Sequence, residues 1–206
     1  MDSDPKEKKT VNDPNTSAER ADAPQPDPGA SEQAQPSTAE TELDAYRRMV
    51  ADIAAAGDGR VIMNRTAEHA AVVIENVFRH AKGSVEILTG HLYDGIYGVP
   101  QVLDAVDKFL SPDPSRRVCV VAEKPIDPNH PFFAAIKKHR PDFNVKLITS
   151  ELEKATPFHF CVADELNFRF EPDKTKYAAH GRFGVPEIGK KLSQTFQRLY
   201  DASREQ

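Results

Sequence analysis

Residues 156–171, Thr-Pro-Phe-His-Phe-Cys-Val-Ala-Asp-Glu-Leu-Asn-Phe-Arg-Phe-Glu, carry the strongest structural signal in this chain. Apolar and polar residues alternate along both halves of the stretch, and the pair Asp164-Glu165 separates the halves. This pattern predicts two short strands joined by a tight turn. Because successive side chains of a strand point to opposite faces, the Phe and Leu side chains share one face of the hairpin. The other face carries His159, Arg169 and Glu171, which form either one wall of a pocket or a polar outer surface.

Helices and strands alternate in the chain that precedes the hairpin. Apolar periodicity predicts helices at 41–56, 66–81, 99–110 and 131–139, and a last helix at 186–200. Strands are predicted at 84–88, 117–122 and 143–149, with a further strand at 178–183 and a short apolar connector at 61–63. The sum predicts an α/β fold in which helices flank a mixed sheet, parallel in its first part and antiparallel at the hairpin.

The first 40 residues differ in composition from the rest of the chain. They contain six of the 16 prolines and no Ile, Leu, Phe, Tyr or Trp. Such a segment buries too little apolar surface to offset its chain entropy, which predicts a disordered, acidic, Pro-rich tail. The predicted organisation is this tail at 1–40, an N-terminal helix at 41–60 and an α/β domain at 61–206.

The charge of the chain predicts no general affinity for polyanions. The chain has 27 basic and 32 acidic residues, of which the tail holds four and nine, so the remainder balances at 23 each. No net positive field therefore draws the protein onto nucleic acid or membrane, although a local basic face is compatible with this balance.

Hydropathy and cysteine usage indicate a cytoplasmic protein. No apolar run approaches 18 residues, and the polar N-terminus does not resemble a signal peptide, so we expect no membrane association. The two cysteines, Cys119 and Cys161, fall inside predicted strands without metal-ligand spacing. We expect both to be buried free thiols in a reducing compartment.

The predicted topology brings several polar residues towards one edge of the sheet. Ligands of such sheets bind at the carboxyl ends of parallel strands, where the loops here begin at Thr89, Glu123 and Thr149. His91 and Tyr93 would then lie near His159. The candidate ligand-binding residues are His91, Tyr93, His159, Arg169, Glu171 and Lys176.

An anionic ligand is one interpretation of this edge. Lys174 and Lys176 follow the hairpin and, facing the same pocket, would favour a phosphate-bearing ligand; the alternative is a scattered, solvated surface. His91, His159 and His180 with Glu171 match no known ligand spacing, so we predict no metal and no cofactor.

The order of elements over residues 66–203 resembles one half of a phospholipase D-like protein. The resemblance includes Val85-Glu-Ile-Leu-Thr-Gly-His-Leu, Val118-Cys-Val-Val, Val145-Lys-Leu-Ile and the closing Phe183-Gly-Val-Pro-Glu-Ile-Gly. The hairpin stands where that family carries a His and a Lys one residue apart, with an Asp five positions after the Lys. Aligning the family Asp with Asp164 puts His159 at the Lys and Pro157 at the His. Aligning His159 with the His puts Cys161 at the Lys and Leu166 at the Asp, so neither register keeps the motif.

This resemblance implies a fold more directly than an activity. Active members use one His as nucleophile on phosphorus and a second as general acid, so a single motif works only where two copies meet, usually in a homodimer. The broken motif implies a degenerate, non-catalytic binding or dimerisation module for a phosphate-bearing ligand or a partner protein. The alternative is a phosphodiesterase or nuclease, acting on nucleic acid, with His159 of each subunit as the catalytic residue of a composite site. A third possibility is a structural subunit that docks on a protein partner through residues 41–56.

Overall fold

The computed structural model describes residues 41–176 and 178–206, and the predicted tail at 1–40 lies outside these residues. The described residues form one compact unit. Its helices are α1 (Glu42–Ala56), α2 (Ala67–His80), α3 (Asp94–Tyr97), α4 (Pro100–Leu110), α5 (Pro131–Lys137), α6 (Ser150–Ala155) and α7 (Pro186–Ala202). Its strands are β1 (Ile62–Asn64), β2 (Ser84–Thr89), β3 (Arg117–Ala122), β4 (Val145–Leu147), β5 (His159–Ala163), β6 (Asn167–Glu171), β7 (Ala179–Arg182) and β8 (Arg204–Glu205).

The strands form a mixed sheet in the order β1-β7-β6-β5-β2-β3-β4-β8. β2, β3 and β4 are parallel, whereas β5 runs antiparallel to β2 and pairs antiparallel with β6. The predicted α/β fold, with a mixed sheet that changes from parallel to antiparallel at the hairpin, is confirmed. Among the described residues no helix is long and apolar enough to cross a membrane.

Helices cover both faces of the sheet and divide the core into two clusters. One cluster joins the sheet to α1, α2, α4 and α5 and includes Val50, Phe78 and Phe132. The other joins the opposite face to α7 through Leu192, Phe196 and Leu199. Because both faces of the sheet are covered, the sequence of β3 is a nearly continuous apolar run, not an alternation of apolar and polar residues.

The hairpin divides its side chains between the two clusters as its alternation predicts. Phe160, Val162 and Phe168 pack under α7, and Cys161 and Ala163 lie in the cluster of the opposite face.

Leu166 departs from this division. It was expected to share the face of the Phe side chains, but it lies in the turn and is 37% exposed. The reason is that the turn occupies three residues, since Ala163 pairs with Asn167 across the hairpin.

Asp164 fixes the turn to the start of β2. Its carboxylate accepts hydrogen bonds from the backbone N–H groups of Lys82, Gly83 and Ser84, at 2.5, 2.8 and 2.8 Å. Asp164 and Glu165 both adopt left-handed backbone conformations, with φ of 52° and 58°. The Asp164 side chain therefore adds three hydrogen bonds to the backbone ladder that docks β5 on β2.

Helix α1 begins and ends at the residues expected from its sequence. Thr41 and Asp44 form a reciprocal capping box, and Gly57 ends the helix with a φ of 58°. Its apolar stripe, which includes Val50 and Ile53, is buried against the core of the same unit.

Several short elements were not predicted. Residues 61–63, expected to be a connector, contribute to β1, which pairs antiparallel with β7. α3, α6 and the two-residue β8 were also missed. These elements span two to six residues, too few for an apolar period to show, and β1 and β8 exist because a partner strand is available.

Candidate functional site

A cavity of about 290 Å³ opens at the carboxyl ends of β2 and β3, where β5 begins and β6 ends. The structure brings all the sequence-predicted ligand-binding residues to the lining of this cavity: His91, Tyr93, His159, Arg169, Glu171 and Lys176.

Strand register explains why the hairpin residues meet there. His159 is the first residue of β5 and pairs directly with Glu171, the last residue of β6. Arg169 lies two residues earlier on the same face of β6. Gly90, directly after β2, allows the close approach of His159, because a Cβ at Gly90 would lie 3.2 Å from Cε1 of the imidazole.

Three side chains lie close together in the cavity: Glu123, Lys174 and His159. Glu123 follows β3 directly, and its Oε1 lies 2.5 Å from Nζ of Lys174 and 3.2 Å from Nε2 of His159. The Lys174 ammonium also donates to the Glu153 carbonyl at 3.0 Å. Nε2 of His159 is buried and makes no hydrogen bond with the described residues, although Glu123 lies 3.2 Å away.

Glu123 and Lys174 were not among the candidate ligand-binding residues. The signal for Glu123 was its place at the carboxyl end of a parallel strand, which the sequence showed. Lys174 was recognised as a basic residue beyond the hairpin, but its contact with Glu123 depends on how the segment after β6 folds back.

The segment that carries Lys174 and Lys176 is ordered by Asp173. The Asp173 carboxylate accepts from Thr175 Oγ1 at 2.6 Å and from Thr175 N at 3.0 Å, and it pairs with Lys176 at 2.9 Å. These contacts, the hydrogen bond from Thr175 first, lower the pKa of Asp173 to about 2. Lys174 N donates to the Pro157 carbonyl at 3.0 Å, which holds the segment against the residues that precede β5.

Arg169 is neutralised inside the protein rather than at the cavity mouth. The residue is only 5% exposed, and its Nη1 donates to Glu171 Oε2 at 3.2 Å. Asn64, with its amide oxygen turned towards the guanidinium, accepts from Nε and Nη2 at 3.3 and 3.2 Å. Arg169 therefore ties β1 to β6 beneath the cavity, and Glu171 compensates its charge.

The cavity has an excess of positive charge. Its lining includes four cationic side chains and two carboxylates: Glu123, Lys124, Arg169, Glu171, Lys174 and Lys176. Because Asp173, outside the lining, pairs with Lys176, one positive charge, that of Lys124, has no carboxylate partner among the described residues. Lys124 is exposed and forms no ion pair with the described residues. The buried Tyr97 also lines the cavity, and burial raises the pKa of its hydroxyl far above the ordinary value, so the hydroxyl stays protonated.

His180 lies away from this site. Its ring packs against Phe168 and Phe170, with centroid distances of 6.2 and 5.6 Å. Across residues 41–176 and 178–206, no three His, Cys, Asp or Glu side chains are grouped so that they could hold a metal ion.

Solved structures of similar architecture include two proteins whose whole length matches this chain. NucT from Helicobacter pylori is 11% identical, with a TM-score of 0.51, and the match covers 72% of this chain and 100% of NucT. Nuc from Salmonella typhimurium, described as a phospholipase D family member, is 14% identical over 72% of this chain and 99% of Nuc, with a TM-score of 0.49. At 11% identity the likeness to NucT shows a shared fold alone.

A third similar structure is TrmBL2, described as an archaeal chromatin protein. It is 11% identical, with a TM-score of 0.46, over 71% of this chain and 54% of TrmBL2.

Sequence comparison gives a family without a described activity. No curated protein matches the chain. A family model described as "Domain of unknown function (DUF7931)" matches residues 66–206, which include the whole cavity lining. The chain therefore belongs to the DUF7931 family.

Proposed function

We propose that the cavity binds a phosphate-bearing ligand and that the domain is a non-catalytic binding module. The observation that carries the proposal is the concentration of cationic side chains at the cavity of a domain, residues 41–206, in which 23 basic and 23 acidic residues balance. A local positive potential in a domain whose basic and acidic residues otherwise balance is the arrangement expected where an anion is recognised.

The individual cations have different roles in this proposal. Arg169 and Lys174 are each held by a carboxylate of the cavity. Among the described residues, Lys124 has no such partner, and Lys176 pairs with Asp173, a partly exposed residue outside the cavity lining. We therefore expect Lys124 and Lys176 to contact the phosphate oxygens directly, and Lys174 to add to the positive electrostatic potential of the cavity.

The absence of catalysis is proposed from the broken motif. The strand that begins at His159 carries Cys161 where a Lys would follow the His by two positions. Cys161 lies in the core, and burial raises the pKa of its thiol to about 12, so a thiol cannot replace an ammonium there. Transition-state contacts of that kind supply several kcal/mol in transfer reactions, on the order of 3 kcal/mol each.

A phosphodiesterase or nuclease remains the second candidate because of one feature of His159. Its Nε2 atom is buried without a hydrogen-bond partner among the described residues, and His91 lines the same cavity. An imidazole whose buried Nε2 faces a carboxylate at 3.2 Å is suited to acid–base work. In this case we expect the active form to be a homodimer.

The proposal also includes partner molecules. A homodimer is proposed for both functions. The protein partner proposed for residues 41–56 would have to use the outer face of α1, where Met49 is 43% exposed, because the inner stripe is buried.

The test combines binding and cleavage on the full chain. Titration calorimetry with inorganic phosphate should detect binding that Lys124→Ala and Lys176→Ala each weaken by about tenfold, the effect of losing one charge-assisted hydrogen bond. Lys190→Ala, which removes an exposed lysine of α7 outside the cavity, is the matched control and should bind like the parent. Equal affinity of all four proteins would refute the phosphate site.

Cleavage separates the two candidate functions. Incubation with bis(4-nitrophenyl) phosphate and with single-stranded DNA should give no product if the domain only binds. Turnover that His159→Ala abolishes, in a protein whose mass in solution is that of a dimer, would replace the binding module by the enzyme.

A further inference from the structure

Tyr93 is an aromatic side chain that the fold leaves uncovered at the cavity. It lies between the end of β2 and the start of α3, lines the cavity and is 42% exposed. Its hydroxyl makes no hydrogen bond with the described residues, so neither burial nor polar bonding accounts for a tyrosine at this position.

The backbone and its neighbours hold this exposed ring in place. The Tyr93 carbonyl accepts from the N–H groups of Ile96 and Tyr97, both at 2.9 Å, and so anchors the first turn of α3. The ring lies against Gly95, where a Cβ would be 2.7 Å from Cε1 and 3.1 Å from Cζ of the tyrosine. The His91 ring meets Tyr93 edge-on, with a centroid distance of 6.1 Å and an interplanar angle of 71°.

A positioned, solvent-facing ring beside cationic side chains is suited to a ligand with two chemical parts. Planar rings stack on tyrosine whatever their substituents, because every such ring has a π face. The lysines Lys124 and Lys176 line the same cavity and favour an anion. We infer that the ligand is a planar aromatic ring joined to a phosphate, with the ring stacked on Tyr93 and the phosphate at the lysines. This inference rests on the proposed phosphate site and names the class of molecule that would occupy it.

The test compares phosphates with and without a ring on the full chain. The probes are inorganic phosphate and ribose 5-phosphate, which have no aromatic ring, and phenyl phosphate and AMP, which do. We expect phenyl phosphate and AMP to bind the parent protein at least about tenfold more tightly, since stacking on one aromatic side chain contributes roughly a fivefold to hundredfold gain. Tyr93→Ala should remove that gain and leave the affinity for inorganic phosphate unchanged.

Tyr93→Phe is the matched variant because it keeps the ring and removes the hydroxyl. It should retain the affinity of the parent for phenyl phosphate and AMP. If it behaves like Tyr93→Ala, the hydroxyl rather than the ring is recognised and the stacking inference is wrong. A 5′-phosphorylated single-stranded tetranucleotide distinguishes the source of the ring: tighter Tyr93-dependent binding of AMP identifies a free nucleotide, and tighter Tyr93-dependent binding of the strand identifies a nucleic-acid end.

The outcomes separate this inference from the proposal beneath it. If inorganic phosphate binds and the ring compounds bind no more tightly, the phosphate site stands and the ring subsite is refuted. A loss of affinity for all four probes in Tyr93→Ala would also refute it, since the residue would then act on the whole cavity. If no phosphate compound binds the parent protein, the proposed function fails and the inference fails with it.

Discussion

Nε2 of His159 lies 3.2 Å from Oε1 of Glu123, and the same oxygen receives the ammonium of Lys174 at 2.5 Å. One carboxylate therefore faces two basic groups inside a cavity that already has an excess of positive charge. The Glu123 side chain is only 10% exposed. The negative charge of Glu123 compensates Lys174 and also reduces the positive potential that an anionic ligand would meet. Removal of this charge is therefore expected to lower stability and to raise the affinity for the ligand.

Glu123→Gln should lower the free energy of unfolding and strengthen phosphate binding. Removing the charge leaves Lys174 uncompensated in a part-buried position, for which we expect a loss of about 1–3 kcal/mol. The cavity then has one more positive charge in excess, so inorganic phosphate should bind more tightly. Urea unfolding and titration calorimetry measure the two effects. The double variant Glu123→Gln/Lys174→Met should recover stability without the gain in affinity; weaker phosphate binding by Glu123→Gln itself would contradict this account.

Asp164→Ala tests the attachment of the hairpin turn to β2. Three backbone N–H groups lose their acceptor, and alanine must also adopt the left-handed conformation that Asp164 has, so we expect a loss of about 3 kcal/mol in urea unfolding. Asp164→Asn is the graded control, because asparagine keeps one side-chain oxygen and tolerates a positive φ. It should lose about half as much, and equal losses in the two variants would show that the hydrogen bonds contribute little.

Much of the fold could be predicted because long elements carry their own signals. The alternation of Phe160 and Phe168 with Cys161 and Arg169 indicated two strands with one apolar face, and the order of strands placed His91 near His159. Elements such as β1 could not be predicted, because Ile62–Asn64 is a strand only where β7 offers it hydrogen bonds. Tertiary pairing decides such segments, and three residues contain no usable period.

The candidate site could be predicted as a location but not as a network of contacts. The rule for parallel strands indicated the cavity edge, and it included the residue position of Glu123. The pairing of Glu123 with Lys174 depends on the turn that Asp173 forms after β6, and that of Arg169 with Asn64 depends on β1. These contacts join residues 51 and 105 positions apart, and local sequence patterns do not encode them.

Gly184→Ala and Gly57→Ala form a matched pair that isolates one close contact. Both glycines have a positive φ, 78° and 58°, so both substitutions carry the conformational penalty of about 1 kcal/mol. A Cβ at Gly57 meets nothing within 4 Å, whereas a Cβ at Gly184 would lie 1.9 Å from the Gly57 carbonyl oxygen. Gly184→Ala should therefore lose about 3 kcal/mol or more, three times the loss in Gly57→Ala. Similar melting temperatures of the two variants would mean that the segments beside Gly184 separate at little cost.

The pH dependence of stability should reveal the buried carboxyl group of Glu86 on β2. Loss of hydration raises the pKa of Glu86 above its ordinary value of 4.5, opposed by a hydrogen bond with Ser193 and by the charge of Arg117. The folded protein thus holds the proton more tightly than the unfolded chain, so this group contributes stability that is fully present below pH 4.5 and is lost as the pH rises through its folded-state pKa. Glu86→Gln cannot ionise, and we expect it to unfold at a higher urea concentration than the parent at pH 7, with a gain that shrinks towards pH 4.

Glu151→Gln provides the control of opposite sign for Glu86→Gln. Glu151 is exposed, and hydrogen bonds from its own backbone N–H, Ser150 and Thr149 lower the pKa of its carboxyl. A carboxyl group whose pKa is lowered on folding contributes stability at pH values above its ordinary pKa, and this stability is lost as the pH falls through the folded-state pKa. Glu151→Gln should therefore be less stable than the parent at pH 7 and approach it at pH 4. If both variants changed in the same direction between pH 4 and 7, the pH profile would report the net charge of the protein rather than these two carboxyl groups, and the assignment to Glu86 would be wrong.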